Sequence, residues 1–194
     1  FEANAKDGIA VDWPIRYDDL APWYSYAEKF AGIQGSKEGL DVLPDGDFMP
    51  AMELNCAEKE VKKRMEAFYK NSRKLIIGRS ANITQPHHDR TNCQYRDRCW
   101  RGCPFGGYFS TQSATLPAAM KTGNLTLRPF SIVTKILYNK DTKKETGVEV
   151  LDAETNQTYE YKAKIVFVCA SALNSSWVLM NSATDVWEGG LGSS

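Results

Sequence analysis

Apolar positions along the chain follow a helical period in the first third and switch to a strand period after residue 124. Leu20, Trp23, Ala27 and Phe30 recur every three or four residues, and Gly32 follows as a stop, so a helix is predicted to begin near Asp18–Asp19. Pro22 is expected in its first turn, where a missing N–H is harmless. A second helix is predicted after Asn55, with Glu58 three residues on completing a reciprocal cap. Val61, Met65, Phe68 and Tyr69 form its apolar stripe, and the mixed Lys/Arg/Glu residues between them read as a solvated face. Residues 1–17 read as an extended lead-in and residues 34–50, with three glycines and two prolines, as a loop. Leu75–Ile77 is a short strand candidate, and a short helix limited by Pro117 is expected between Ser110 and Lys121.

Strand patterns then take over. Leu125–Arg128, Ile132–Tyr138, Gly147–Leu151 and Thr158–Tyr161 are predicted strands, with turns at 139–144 and 153–156. Val148 and Val150 flank Glu149, the alternation of a strand with one buried face. Ile165–Cys169 is apolar at every position, as in a strand covered on both faces. It runs through Ala170-Ser171-Ala172 into a helix carrying Trp177, Val178 and Met180, a geometry that brings backbone N–H groups close to a phosphate or cofactor. The fold class that results is α+β.

Composition narrows the function. Lys plus Arg and Asp plus Glu both number 24, so the formal net charge is zero and the basic surplus of a nucleic-acid binder is missing. No apolar run approaches bilayer length, and the residues from Phe1 onward lack the basic start and apolar core of a secretory signal. Neither end resembles a natural terminus, so the chain is expected to be an internal piece of a longer protein. The compartment is left open.

The densest chemistry lies between Asn92 and Ser110. Cys93, Cys99 and Cys103 stand in a C-x5-C-x3-C-P pattern among Gly102, Pro104, Gly106 and Gly107. Three thiolates on one tight loop can converge on a soft metal. The pattern admits a three-iron cluster, zinc with His88 as fourth ligand, or a packed loop whose cysteines act as small hydrophobes. His87 and His88 are the chain's two histidines, and in an extended segment neighbouring side chains face opposite ways.

Two stretches carry a resemblance. Asn124-Leu-Thr-Leu-Arg-Pro-Phe-Ser-Ile-Val-Thr-Lys-Ile-Leu, Thr146-Gly-Val-Glu-Val and Lys164-Ile-Val-Phe-Val-Cys-Ala-Ser-Ala-Leu-Asn-Ser follow one another in order. Upstream stands Trp13-Pro-Ile-Arg-Tyr-Asp-Asp-Leu-Ala-Pro-Trp-Tyr. Together these segments resemble the middle of a glucose–methanol–choline (GMC) FAD-dependent oxidoreductase. The resemblance implies helices of a substrate domain in residues 1–91, a cysteine-rich loop and short helix near the flavin in 92–123, and in 124–194 a β-meander with the last strand and helix of the FAD-binding domain, a partial FAD-binding sheet. It implies that Val133 touches FAD through its backbone and that Ala170, Ser171 and Asn174 lie near the flavin. Where the family signature ends in Ser-Gly, this chain has Ala183-Thr184.

The same resemblance implies hydride transfer from the CH–OH group of an alcohol or sugar to FAD, with a histidine outside these residues taking the hydroxyl proton. No G-x-G-x-x-G occurs, so the 194 residues alone are expected to bind FAD weakly or not at all and to be inactive. The cysteine loop is similar to that of the bacterial sugar dehydrogenase subgroup, which implies a three-iron cluster on Cys93, Cys99 and Cys103 and an electron-acceptor protein as partner. The competing class is a non-enzymatic zinc- or partner-binding module built on the same loop.

Overall fold

A computed structural model describes residues 1–192, which divide into two compact units, Phe1–Leu125 and Thr126 onward. The first is helical and loop-rich; the second is built on a three-stranded antiparallel sheet. Among the described residues no helix is long and apolar enough to cross a membrane.

In the first unit, α1 covers Ala3–Asp7, where an extended lead-in was expected. The helix α2 runs Tyr17–Ala31 and ends on Gly32, whose left-handed φ of 76° lets its N–H reach Glu28 O. It begins one residue early, where Asp19 Oδ2 accepts from Arg16 N at 2.7 Å, so Pro22 sits in the second turn. The helix α3, Cys56–Phe68, starts with the expected box: Glu58 N donates to Asn55 Oδ1 at 2.9 Å and Asn55 N to Glu58 Oε2 at 2.7 Å. Neither helix buries a residue, and Trp23, Val61 and Phe68 from their apolar stripes are exposed. A π-turn, Thr111–Thr115, leads into α4, Leu116–Lys121, with Pro117 in its first turn.

Leu75–Ile77 forms no strand. The segment's neighbours are held by single bridges, because the first unit is organised by one buried side chain rather than by a ladder. Gln34 is 1% exposed. Its Nε2 donates to Gly78 O at 2.6 Å and Ser80 Oγ at 3.0 Å, and its Oε1 accepts from Met52 N at 2.8 Å. Its backbone exchanges hydrogen bonds with Ser80 in both directions. Three loop segments are thereby fixed by one amide.

In the second unit, β1 (Ser131–Asn139), β2 (Lys144–Asp152) and β3 (Thr158–Lys162) pair in sequence order. Val133 faces Val150 and Ile136 faces Val148, with register shifts between Val133 and Lys135 and between Leu137 and Tyr138. The helix α5, Ser171–Met180, packs on β1. Ile136 on β1, Val150 on β2 and Val178 on α5 are buried. Buried Ser182 locks this contact by accepting Ile136 N at 2.8 Å while donating to Val178 O at 2.7 Å. Ser182→Ala leaves the Ile136 N–H buried without an acceptor and is expected to destabilise the unit by about 1–3 kcal/mol. Faster hydrogen exchange at the Ile136 amide reads this out, and unchanged exchange and stability would contradict it.

Two further predicted strands are not formed. Leu125–Arg128 and Ile165–Cys169 pair with nothing among the described residues. Ile165 is 70% and Phe167 82% exposed. A strand needs a neighbour to satisfy its backbone, and among the described residues neither stretch has a ladder partner.

Candidate functional site

The cysteine loop is shaped by backbone hydrogen bonds from three segments. Ile83, fully buried, donates its N–H to Gly107 O at 2.9 Å and accepts from Cys93 N at 2.8 Å. Thr91 N reaches Phe105 O at 3.0 Å, and Phe109 N reaches Ala81 O at 2.9 Å. Gly107 packs so closely that a Cβ there would lie 3.0 Å from the Cys93 backbone. Only glycine fits without pushing the two sides of the loop apart.

This frame brings Cys93, Cys99 and Cys103 to the wall of one cavity of about 710 Å³. Arg96, Arg98, Arg101, Phe105 and Tyr108 line it too. Each sulfur has its own donors: Tyr95 N at 3.4 Å from Cys93 Sγ and Asn82 Nδ2 at 3.6 Å from Cys99 Sγ. Burial pushes the Cys103 thiol up, but the backbone N–H groups of Tyr108, Phe105, Gly107 and Gly106 together hold it below its ordinary value. Among the described residues, no group of three or more His, Cys, Asp or Glu side chains is arranged to hold a metal ion. Cys56 and Cys169 are exposed elsewhere.

The histidines do not behave as an extended pair. His88 adopts φ 46°, which turns its ring onto that of His87 at 4.0 Å between centroids. His87 Nε2 lies 3.2 Å from Phe30 O, at the end of α2, and belongs to no metal-holding group among the described residues.

Arg90 is the residue that sequence reasoning missed. It is 3% exposed, donates from Nε to Gly106 O and from Nη1 to Ala31 O, both at 2.8 Å, and exchanges backbone hydrogen bonds with His87. It thus ties the end of α2 to the Cys103–Gly107 turn. Burial pulls its guanidinium below the ordinary value, opposed by the nearby Cys103, without approaching neutrality. A single arginine between two histidines and a cysteine loop has no periodic signature, so the pattern of the sequence could not single it out.

The other four predicted residues lie in the second unit. Val133 is half-buried on β1; Ala170 is the N-cap of α5, and Ser171 and Asn174 are exposed in its first turns. Ala170 makes no side-chain capping bond, and Ser171 has φ 67°. None of the four lines the cavity of about 740 Å³ in that unit, which is walled by Ile136, Tyr138, Ile165, Val168 and Trp187.

Comparison with known proteins decides the family. The family model described as GMC oxidoreductase matches residues 13–191. The chain belongs to the GMC oxidoreductase family. Among curated GMC-like relatives, a 2-methyl-1,2-propanediol dehydrogenase of Mycolicibacterium austroafricanum is 28% identical over 196 aligned residues, covering 100% of this chain and 35% of the relative. A 6'''-hydroxyparomomycin C oxidase of Streptomyces lividus is 26% identical, covering 96% of the chain and 34% of the relative. A paromamine 6'-oxidase of Streptomyces fradiae is also 26% identical, covering 90% and 31%. The chain therefore spans about a third of the length of the curated relatives it matches.

Proposed function

We propose that the protein is a flavin-dependent oxidoreductase acting on the CH–OH group of an alcohol or sugar. The observation that carries this reading is the family match across residues 13–191. The relatives named for 2-methyl-1,2-propanediol, 6'''-hydroxyparomomycin C and paromamine support hydroxylated small molecules as the substrate class. Family membership also favours this reading over the zinc- or partner-binding module.

FAD would be held in part by Val133, Ala170, Ser171 and Asn174. Their setting suits it: the first turn of the ten-residue α5 carries backbone N–H groups that no Ala170 side chain caps, and such a terminus accepts an anion. When bound, FAD supplies the hydride acceptor. Residues 124–194 would contribute a β-meander and one further strand, Ile165–Cys169, to a larger FAD-binding sheet. The exposure of Ile165 and Phe167 supports a covering neighbour outside these residues. Residues 1–91 would belong to the substrate domain and 92–123 to a loop near the flavin.

The test uses the whole protein to which these residues belong. It should purify with flavin, and anaerobic addition of a vicinal diol or a sugar should bleach the oxidised flavin band. Absence of flavin, or a flavin that no primary or secondary alcohol reduces, would overturn the proposal.

A second reading assigns a three-iron cluster to Cys93, Cys99 and Cys103, with an electron-acceptor protein as its partner. Their place on one cavity wall favours it. As arranged, the three do not form a metal-holding group among the described residues, so cluster binding requires the loop to rearrange. Cys103→Ser in the whole enzyme should then slow electron delivery to an external acceptor while leaving flavin reduction by substrate intact. A parallel fall in both half-reactions, or a protein without iron and sulfide, sinks the cluster.

A further inference from the structure

Residues 94–101 differ from the rest of the first unit in what they leave in water. Tyr95 is 75% and Trp100 76% exposed, and Arg96, Arg98 and Arg101 are exposed beside them. Tyr95 and the three arginines border the cavity of about 710 Å³. Trp100 joins them through Arg101, whose guanidinium lies 4.4 Å from its ring centroid. Arg96 is likewise placed over the Phe105 ring, at 5.5 Å. The charge is one-sided. Asp97 is the one carboxylate from residue 94 to residue 108. Neither it nor any of the three arginines enters an ion pair among the described residues.

In water these arginines need no partner, but under cover they do. A segment that removes the Trp100 ring from solvent also desolvates the Arg101 guanidinium stacked on it. A buried guanidinium is tolerated only when an opposite charge pairs with it. Tryptophan, tyrosine and arginine are also the residues that carry most of the energy of protein interfaces. Nucleic acid fits less well, because the 24 basic residues of the chain are balanced by 24 acidic ones and leave no wider basic surface. The occupant is thereby narrowed to a polypeptide that brings apolar side chains together with Asp or Glu.

We propose that an acidic segment of the same polypeptide, outside these 194 residues, docks on the 94–101 loop. Its carboxylates would pair with Arg96, Arg98 and Arg101, and an apolar side chain would cover Trp100. The source of the segment is argued from length: the chain spans about a third of its curated relatives, which leaves a larger remainder to supply it. The contact does not rest on the flavin reading, since charge selects it and its test reads a cross-link.

The test places photoreactive benzoylphenylalanine at position 100 of the whole protein, and at position 95 in a second variant, and maps the cross-linked peptides by mass spectrometry. The expected product has the mass of one polypeptide and joins the loop to an Asp- or Glu-containing peptide outside these residues. Its yield should fall about fivefold in Arg98→Glu and recover in Arg98→Lys, as an ion pair at a partly covered surface requires. Added salt, about 0.5 M, should lower it in the same direction. A cross-link confined to these residues, to a peptide without acidic residues, to a second copy or to another macromolecule overturns the proposal. So does the absence of any cross-link from both positions, or a yield that neither salt nor Arg98→Glu changes.

Discussion

Gly147→Val is expected to cost the second unit about 3–5 kcal/mol, from overpacking and backbone strain combined. Gly147 is buried on β2, paired with Leu137 on one side and Lys162 on the other, at a φ of 154° that side-chain-bearing residues rarely adopt. A Cβ there would overlap the Tyr161 carbonyl oxygen and sit 2.8 Å from Lys162 Cα. Both are backbone atoms of β3, so no side chain can swing aside. The edge strand must leave β2, taking with it the five pairings from Gly147–Lys162 to Leu151–Thr158. Since small domains are stable by roughly 5–15 kcal/mol in all, such a loss takes a large share. Denaturant unfolding followed by far-ultraviolet circular dichroism measures it, with Gly147→Ala expected to be nearly as damaging because the first carbon already collides. An unfolding midpoint equal to that of the wild type would refute the clash.

Gln34→Met should cost about 3–5 kcal/mol in the first unit. Methionine fills nearly the same volume, so the change isolates polarity from packing. It strips the acceptor from Met52 N–H and the donor from Gly78 O and Ser80 Oγ, at a position with 1% exposure. The backbone exchange between Gln34 and Ser80 survives in the folded state, so the loss should appear first as increased hydrogen exchange at Met52. Gln34→Glu sharpens the test. It restores an acceptor for Met52 but aims a carboxylate at the Gly78 carbonyl, and it should not rescue stability. A stable Gln34→Glu variant would show that the Gly78 contact contributes little.

Local elements were largely legible in advance. The Asn55–Glu58 box, the Gly32 stop and the β1–β2–β3 meander are written in short-range patterns, because caps, left-handed stops and hairpin turns depend on residues a few positions apart. Cys93, Cys99 and Cys103, which stand out in the sequence by their spacing, line one cavity. Their metal chemistry was not legible, since spacing fixes how far sulfurs can reach and not where the loop aims them.

The strand readings at Leu75–Ile77, Leu125–Arg128 and Ile165–Cys169 mark the limit of such patterns. Apolar runs state a demand for cover, and only a neighbouring segment meets it. The sequence by itself determined the α+β class, the Gly32 stop, the Asn55 cap, the meander and the family resemblance, all of which rest on local conformational preference or on long matched segments. Only the tertiary structure decided that Gln34 joins segments up to 46 residues away and that Arg90 is sealed between the end of α2 and the Cys103–Gly107 turn. Those roles come from burial of a polar group against distant backbone, and a residue's distance along the chain carries no record of which carbonyl it will meet.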